Sequence, residues 1–459
     1  MIQLKNNKIQ SFKHQKKAFW WLSFVAFFSV MNETVFNVAL PDIKNQFGVS
    51  PAAANWVNTS FIISFAAGSV VYSRLSDMYG VRKLFVAGLI IYGGGSLIGL
   101  SAQSYFPAVI FARFVQGAGA SAVPALILVI ITRYVRPEGR GKAFGLVGSL
   151  VAMGEGIGPA IGGMIVHHIH WSFLFLLPMA VLMSIPFFLR NMPAEAAAKA
   201  NLDIIGIGLL TISIVMFAVY ISLYHVFYLA AGIFCLIGAA VHTRYAEHPF
   251  IDRSLIKNRR YIGVVLAGCI VLGSIAGIVS VVPYMMRVLF SLNADIIGSG
   301  IMLPGSVGVI FFGVAGGALT DRFGSRFVFT LGWLLILATM AAAAQFGDRT
   351  PWLMTMMLVF IFGGLSFVKT AISNSTAESL EEEAAGAGMG MLNFACFLSE
   401  GIGVAFAGGL MAMHGFGYSA LPSMDNAESA VFSRSFAIFT VFVLAGGLLY
   451  LWTCKRKKS

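Results

Sequence analysis

Apolar runs of roughly 20 residues recur along the whole chain, broken by short polar stretches in which Lys, Arg, Gly and Pro gather. A helix needs about 20 such residues to cross the hydrocarbon core of a bilayer. Fourteen spans follow from the pattern, at 18–39, 55–72, 84–102, 108–131, 142–166, 171–189 and 204–222, then 226–241, 262–288, 296–320, 327–344, 352–372, 386–413 and 431–452. The chain therefore reads as an all-α polytopic membrane protein of fourteen transmembrane helices.

Charge fixes the orientation. Lys and Arg fall almost entirely on one side: the N-terminal tail, Arg74 with Arg82 and Lys83, Arg133 to Lys142, Arg244 to Arg260, Arg322 with Arg326, and the C-terminal tail. The other side holds only Lys44, Arg287, Arg349 and Arg434. The positive-inside rule places both termini in the cytoplasm. The net charge of +12 is this bias, spread over short loops instead of one basic stripe, so it implies no nucleic-acid partner. Overall, 58% of residues are hydrophobic and 11% charged, which excludes a soluble domain. The first apolar run follows a cationic N-terminus but runs into Asn32-Glu33 without a small-residue cleavage site, and is kept as a span. Cys235, Cys269, Cys396 and Cys454 are scattered without metal-ligand spacing. His167, His168 and His170 cluster at the outer end of the fifth span, where an interfacial turn explains them better than a metal, since no carboxylate is near in sequence.

Two loops repeat half a chain apart. Leu75-Ser76-Asp77-Met78-Tyr79-Gly80-Val81-Arg82 leaves the second span and Leu319-Thr320-Asp321-Arg322-Phe323-Gly324-Ser325-Arg326 leaves the tenth. A duplicated six-span half accounts for both. The spans then count six, two and six: a bundle at 1–200, an inserted pair at 201–260 and a second bundle at 261–459. In each loop glycine permits a sharp reversal. The acidic and basic residues (Arg74, Asp77 and Arg82; Asp321 and Arg326) can pair across helix ends as a cytoplasmic gate.

The polar residues inside the spans carry the chemistry. A charge at bilayer depth costs roughly 2.5–3.5 kcal/mol on insertion scales, so such residues face a protein interior or a water-filled cavity. Glu33 and Asn37 lie four apart on one face of the first span. Arg113, with Gln116 one turn on, needs a carboxylate or water: it either reaches the interface or serves a cavity, with Glu33 and Glu155 as possible partners. Glu155 and Glu400 are the proton carriers of choice, the latter following Asn393. Gly154, Gly158 and Gly162 fall four apart and predict a flat face for close helix packing, with Glu155, Pro159 and Gly163 on the adjacent face. Asp203 suits an N-cap of the seventh span. Lys369, near the inner end of the twelfth, can snorkel. Glu378 and Glu381–Glu383 read as a solvated loop that can pair with basic neighbours.

The repeated Leu-Ser/Thr-Asp-x-x-Gly-x-Arg loops, Arg113 and the Gly154–Gly163 run resemble motifs of the major facilitator superfamily, and the last resembles its antiporter signature. Further stretches are similar to the tetracycline exporters of the fourteen-span drug–proton antiporter branch: 40–43, 55–59, 112–114, 116–120, 140–146, 152–164, 282–286, 363–367, 384–389, 392–394 and 397–401. One departure is Ser73, where the superfamily loop has glycine. The resemblance implies a major facilitator fold and export of tetracycline, as a monocationic chelate with Mg2+ or another divalent metal, in exchange for protons. It also implies a possible exchange of Na+ or K+ for protons. It gives Glu155 and Glu400 membrane-embedded acidic roles, Asp77 and Asp321 loop roles, Glu33 the first-span acidic position, and adds Asp203. Drug, protons and lipid are the partners expected, with no cofactor and a monomer as the working state. The rival within the class is a broader multidrug or monovalent cation–proton antiporter. A passive channel or a sensor is a rival outside it, and no nucleophile–base constellation or phosphate loop suggests an enzyme.

Overall fold

The computed structural model describes residues 15–134, 153–154, 156–193, 203–223, 225–246, 255, 257–380, 382–412 and 427–454, and regular structure among them is helical throughout. α1 (Gln15–Val35) tightens through a turn at Phe36–Ala39 into α2 (Leu40–Phe47). α3 (Pro51–Tyr79) begins where Ser50 accepts a bond from the Ala53 amide and Pro51 fills a position whose N–H needs no partner. Then come α4 (Val81–Ser101), α5 (Phe106–Ala120), α6 (Ala122–Tyr134), α7 (156–168) and α8 (Trp171–Asn191). α9 (Ile204–Leu223) and α10 (Val226–Tyr245) form a hairpin pair packed on each other. The remainder is α11 (Arg259–Phe290), a wide π turn at Ile296–Met302 leading into α12 (Leu303–Phe323), α13 (Ser325–Phe346), α14 (Pro351–Ala377), α15 (Glu382–Ala412) and α16 (Ala427–Thr453).

Among the described residues eleven helical stretches are long and apolar enough to span a membrane. Of the other three spans expected from sequence, the second is the 29-residue α3, the seventh contains a shorter apolar helix at Ile205–Phe217, and the fifth lies partly outside the described residues.

α1 to α8 form one group, in which α4 packs on α5 and α8, and α3 on α5. α11 to α16 form a second, in which α11 packs on α15 and α16, and α13 on α14 and α16. α9 lies against α3 and α15, one helix from each group. The groups meet through α3 with α15 and through α7 with the π turn before α12. Leaving aside the short α2 and the split of α5 from α6, this pairs the second spanning helix of each group with the fifth of the other, as two repeats facing across an approximate two-fold axis require.

The repeated loops fold alike. Gly80 ends α3 and Gly324 ends α12, each with φ 81° and an extended ψ, and a new helix starts at the next residue. That combination is open essentially to glycine alone. The four-residue glycine spacing also acts as expected. A Cβ built at Gly154 would lie 2.6 Å from the Phe27 carbonyl oxygen, and those at Gly158 and Gly162 would overlap Thr34 and the Val35 carbonyl, so Gly158 and Gly162 seat α7 directly on α1 and Gly154, just before α7, meets the same helix.

Candidate functional site

A cavity lies between the two groups at the mid-height of the helices, with about 950 Å³ of space when its open mouth is included. α1 contributes Glu33 and Thr34, and the turn after it Asn37; α7 contributes Pro159. α11 supplies the apolar stripe Leu272, Ile275, Ala276 and Val279, and α12 supplies Ser306 and Val309. From α14 come Phe362, Leu365, Ser366 and Lys369, and from α15 Glu400 and Val404. Among the described residues the charged groups are thus one carboxylate from each half and one ammonium. Lys369 Nζ lies 4.0 Å from Glu400 Oε1, with the lysine side chain 44% exposed and the glutamate 13%. Solvent at the lysine screens the pair, so it is worth closer to the ~0–1 kcal/mol of exposed pairs than to a buried one. It can therefore part readily. This corrects the sequence reading of Lys369 as a snorkelling residue: it faces the cavity.

The polar and backbone-to-backbone contacts between the halves gather on the Asp42 side of this cavity, while Phe65 of α3 meets Phe397 of α15 edge-on farther along the same pair. Asn55 of α3 donates to the Val404 carbonyl at 3.0 Å and accepts from the Tyr284 hydroxyl at 3.3 Å. Arg287 of α11 pairs with Asp42 of α2. Backbones touch where glycine removes the side chain: Gly408 against Ala52, Gly163 against the Ala294 carbonyl and Gly298 against the Pro159 carbonyl.

Behind Glu33 sits a buried polar layer. Arg113 is fully buried; it donates to the Val57 carbonyl at 3.1 Å, Gln116 Oε1 at 3.0 Å and the Asn32 carbonyl at 3.4 Å. Its guanidinium carbon lies 4.2 Å from the Phe36 ring centre and 4.1 Å from that of Phe61, a double cation–π sandwich. Gln116 passes the network to Ser96 at 2.8 Å. Arg113 thus neither reaches the interface nor lines the cavity: it clamps the α1 backbone at the residue before Glu33. Asn37, on the cavity wall, accepts from Asn58 at 2.6 Å.

The other expected site residues divide. Asp203 is an N-cap, accepting from the Gly206 amide at 2.8 Å, and His242 Nε2 lies 2.6 Å from the same oxygen. Asn393 is exposed and away from the cavity lining. Arg82 donates to the carbonyls of Leu189 and Met192, tying α4 to the end of α8 within its own half, and Arg326 is exposed. In the second half Glu378 gathers that end instead, meeting Arg260 at 3.2 Å and accepting from Ser325 at 3.3 Å. Glu155 and the side chains of Arg74, Asp77 and Asp321 lie outside the described residues.

A two-group helical bundle around a central charged cavity has known relatives. The sequence profile of the Major Facilitator Superfamily matches residues 22–404. The chain belongs to that superfamily. It is 24% identical over 438 residues to an uncharacterized MFS-type transporter, YcnB, of Bacillus subtilis (strain 168), covering 92% of each chain. It is 24% identical to the multidrug transporter protein MdtP of the same organism, over 84% of this chain and 73% of that one. With the riboflavin transporter RibZ of Clostridioides difficile (strain 630) it shares 25% over 83% and 84% of the two chains. Among solved structures, a bacterial homolog of the human lysosomal transporter Spinster, inward-facing and occupied, superposes with a TM-score of 0.69 at 14% identity, over 96% of both chains. The nucleoside transporter NupG superposes at 0.66 and 11%, over 95% of this chain and all of that one. This protein is a multi-pass membrane transporter of small molecules and not an enzyme.

Proposed function

We propose that this transporter is a proton-coupled efflux antiporter of the cytoplasmic membrane whose cargo is a cationic, partly apolar solute, with a tetracycline–divalent metal chelate preferred. The observation that carries the reading is the placement of Glu33 and Glu400, one from each half, on a single mostly apolar cavity with Lys369 beside Glu400. Apolar walls with a few convergent polar groups suit a drug-sized ligand. A carboxylate that can hold either a proton or a cation couples the two by exclusion. When cargo or proton occupies Glu400, the weak pair to Lys369 gives way. Protons would load from one side and cargo from the other as the bundles at 1–200 and 261–459 rock about the cavity, with 201–260 as an inserted pair and both termini cytoplasmic. In that orientation the seal around Asn55 and Asp42 closes the outer face. Glu155 serves as the first half's second acid on the strength of its motif. The tetracycline assignment rests on the shared stretches, and multidrug relatives favour a broader substrate range as the second reading.

In everted membrane vesicles, energised uptake of tetracycline with Mg2+ is expected, collapsing with a protonophore and lost in Glu400→Gln. Uptake that ignores the protonophore defeats the coupling. Uptake of other cationic drugs but not tetracycline selects the broader reading.

A further inference from the structure

At the end of the bundle that carries Asp42, the last two residues of α7, His167 and His168, meet Asp295, the residue that leads into the π turn before α12. One donor atom from each lies within 4.8 Å of the others, and His167 Nδ1 is 3.9 Å from Asp295 Oδ1. That gap is too wide for a hydrogen bond. It is a little wider than the ~3.3 Å that separates two donors bound at about 2.05 Å to one tetrahedral ion. Both imidazoles are exposed, so small side-chain rotations close the difference and an ion can enter from solvent. Asp295 supplies an independent sign. Its Oδ1 is buried without a hydrogen-bond partner, and although the residue holds an N-cap position its carboxylate caps no amide. A buried carboxylate oxygen turned away from the backbone donors beside it calls for a cation.

We propose that His167, His168 and Asp295 bind a divalent transition-metal ion of the Zn2+ class, and that the ion fastens the two halves together at this end. Two imidazole nitrogens and one carboxylate oxygen, with a fourth position open to water, form a set suited to Zn2+ and its neighbours. Mg2+ and Ca2+ prefer all-oxygen shells and are poor fits. The ligands come from opposite halves: both histidines from the first, the aspartate from the second. Their backbones are already pinned, since a Cβ at Gly163 would overlap the Ala294 carbonyl and sit 2.9 Å from the Asp295 Cα. An ion held by both sides binds only while this end is shut, so it shifts the carrier toward that state. The site is separate from the cavity of Glu33 and Glu400, where a metal carried with cargo would travel.

Tag-free, chelator-stripped protein titrated with ZnCl2 in a calorimeter is expected to bind one ion at this site, with tetrahedral Co2+ absorption bands as a second probe. His167→Ala/His168→Ala should abolish that binding, and Asp295→Asn should weaken it by at least the ~10–100-fold typical of outer-shell partners. In a background with the native cysteines replaced by serine, spin labels at Asn45→Cys and Arg349→Cys, on opposite halves, should narrow to the short-distance population when Zn2+ is added. Equal Zn2+ affinity in the wild type and the double histidine variant overturns the site. Site-dependent binding with an unchanged distance distribution overturns the fastening.

Discussion

Replacing Arg113 by lysine tests whether this residue is a clamp or merely a charge. Lysine keeps the positive charge in a fully buried position but presents a point donor where arginine presents a rigid fork. Of the bonds to Val57, Gln116 and Asn32, an ammonium centred in the same space can keep one at good geometry. Two bonds to a charged group are worth about 1.5–3 kcal/mol each, and the flat contacts to Phe36 and Phe61 add about 0.5–2 kcal/mol each. These terms overlap, and a net loss of about 3 kcal/mol is the expectation. Arg113→Met removes the charge along with the donors. It keeps none of the three bonds and leaves the buried Gln116 Oε1 without its donor, so it should cost at least as much as the lysine variant. Thermal unfolding of the purified protein reads both: about 3 kcal/mol corresponds to a fall of roughly 6–12 °C for a bundle of this size. A lysine variant within 2 °C of wild type, or a methionine variant as stable as wild type, refutes the clamp.

Two further outcomes follow from contacts between elements. Gly158→Leu would drive a branched side chain into Thr34 at the α1–α7 seam, and is expected to abolish folded protein in a fluorescence size-exclusion assay, while Gly208→Leu, where nothing lies within 4 Å of a built Cβ, should leave the elution profile unchanged. Arg287→Glu would place like charges across the seal at Asp42 and lower the melting temperature, and the exchange Asp42→Arg/Arg287→Glu should recover it; failure of the exchange to recover stability would show that the pair is incidental.

The features legible in the sequence were those in which spacing or backbone need is itself the signal. Glycines at 154, 158 and 162 announce a flat face whichever helix lands on it, and α1 lands there. The two loop glycines were readable as a repeat because both must adopt the same forbidden-to-others dihedral. Asp203 was readable as a cap because capping is local. For Arg113, Glu33 was a partner the sequence offered and it does act on the guanidinium, but the clamp was not readable, because two of its acceptors are main-chain carbonyls, which every residue owns and no sequence marks. Lys369 was misjudged for another reason. Depth along a span says how near a residue is to an interface but not which way it faces. A signal was present: Phe362, Leu365, Ser366 and Lys369 fall at i, i+3, i+4 and i+7, one helical stripe, and the whole stripe lines the cavity. The meeting of His167 and His168 with Asp295 could not be read at all, since it depends on how one half docks on the other.

That docking bears on how the carrier must move. Besides the side-chain links at Asn55 and between Arg287 and Asp42, the seal rests on backbone against backbone: Gly163 on Ala294, Gly298 on Pro159 and Gly408 on Ala52. Such contacts have no long side chains to lengthen or rotate as the gap widens, and close-packed interfaces of this kind tend to be either made or broken. By contrast, the groups within the cavity are adjustable: a screened ion pair, hydroxyls and long acidic side chains. The same asymmetry appears inside the first half, where Arg113 fixes the main chain at Asn32 and leaves the neighbouring Glu33 on the cavity wall. In the exchange proposed above, a rigid frame with a soft centre would let cargo and proton be traded at the carboxylates while each half keeps its shape. The free energy of that exchange can then go into parting the glycine seam as a unit instead of being lost in local repacking.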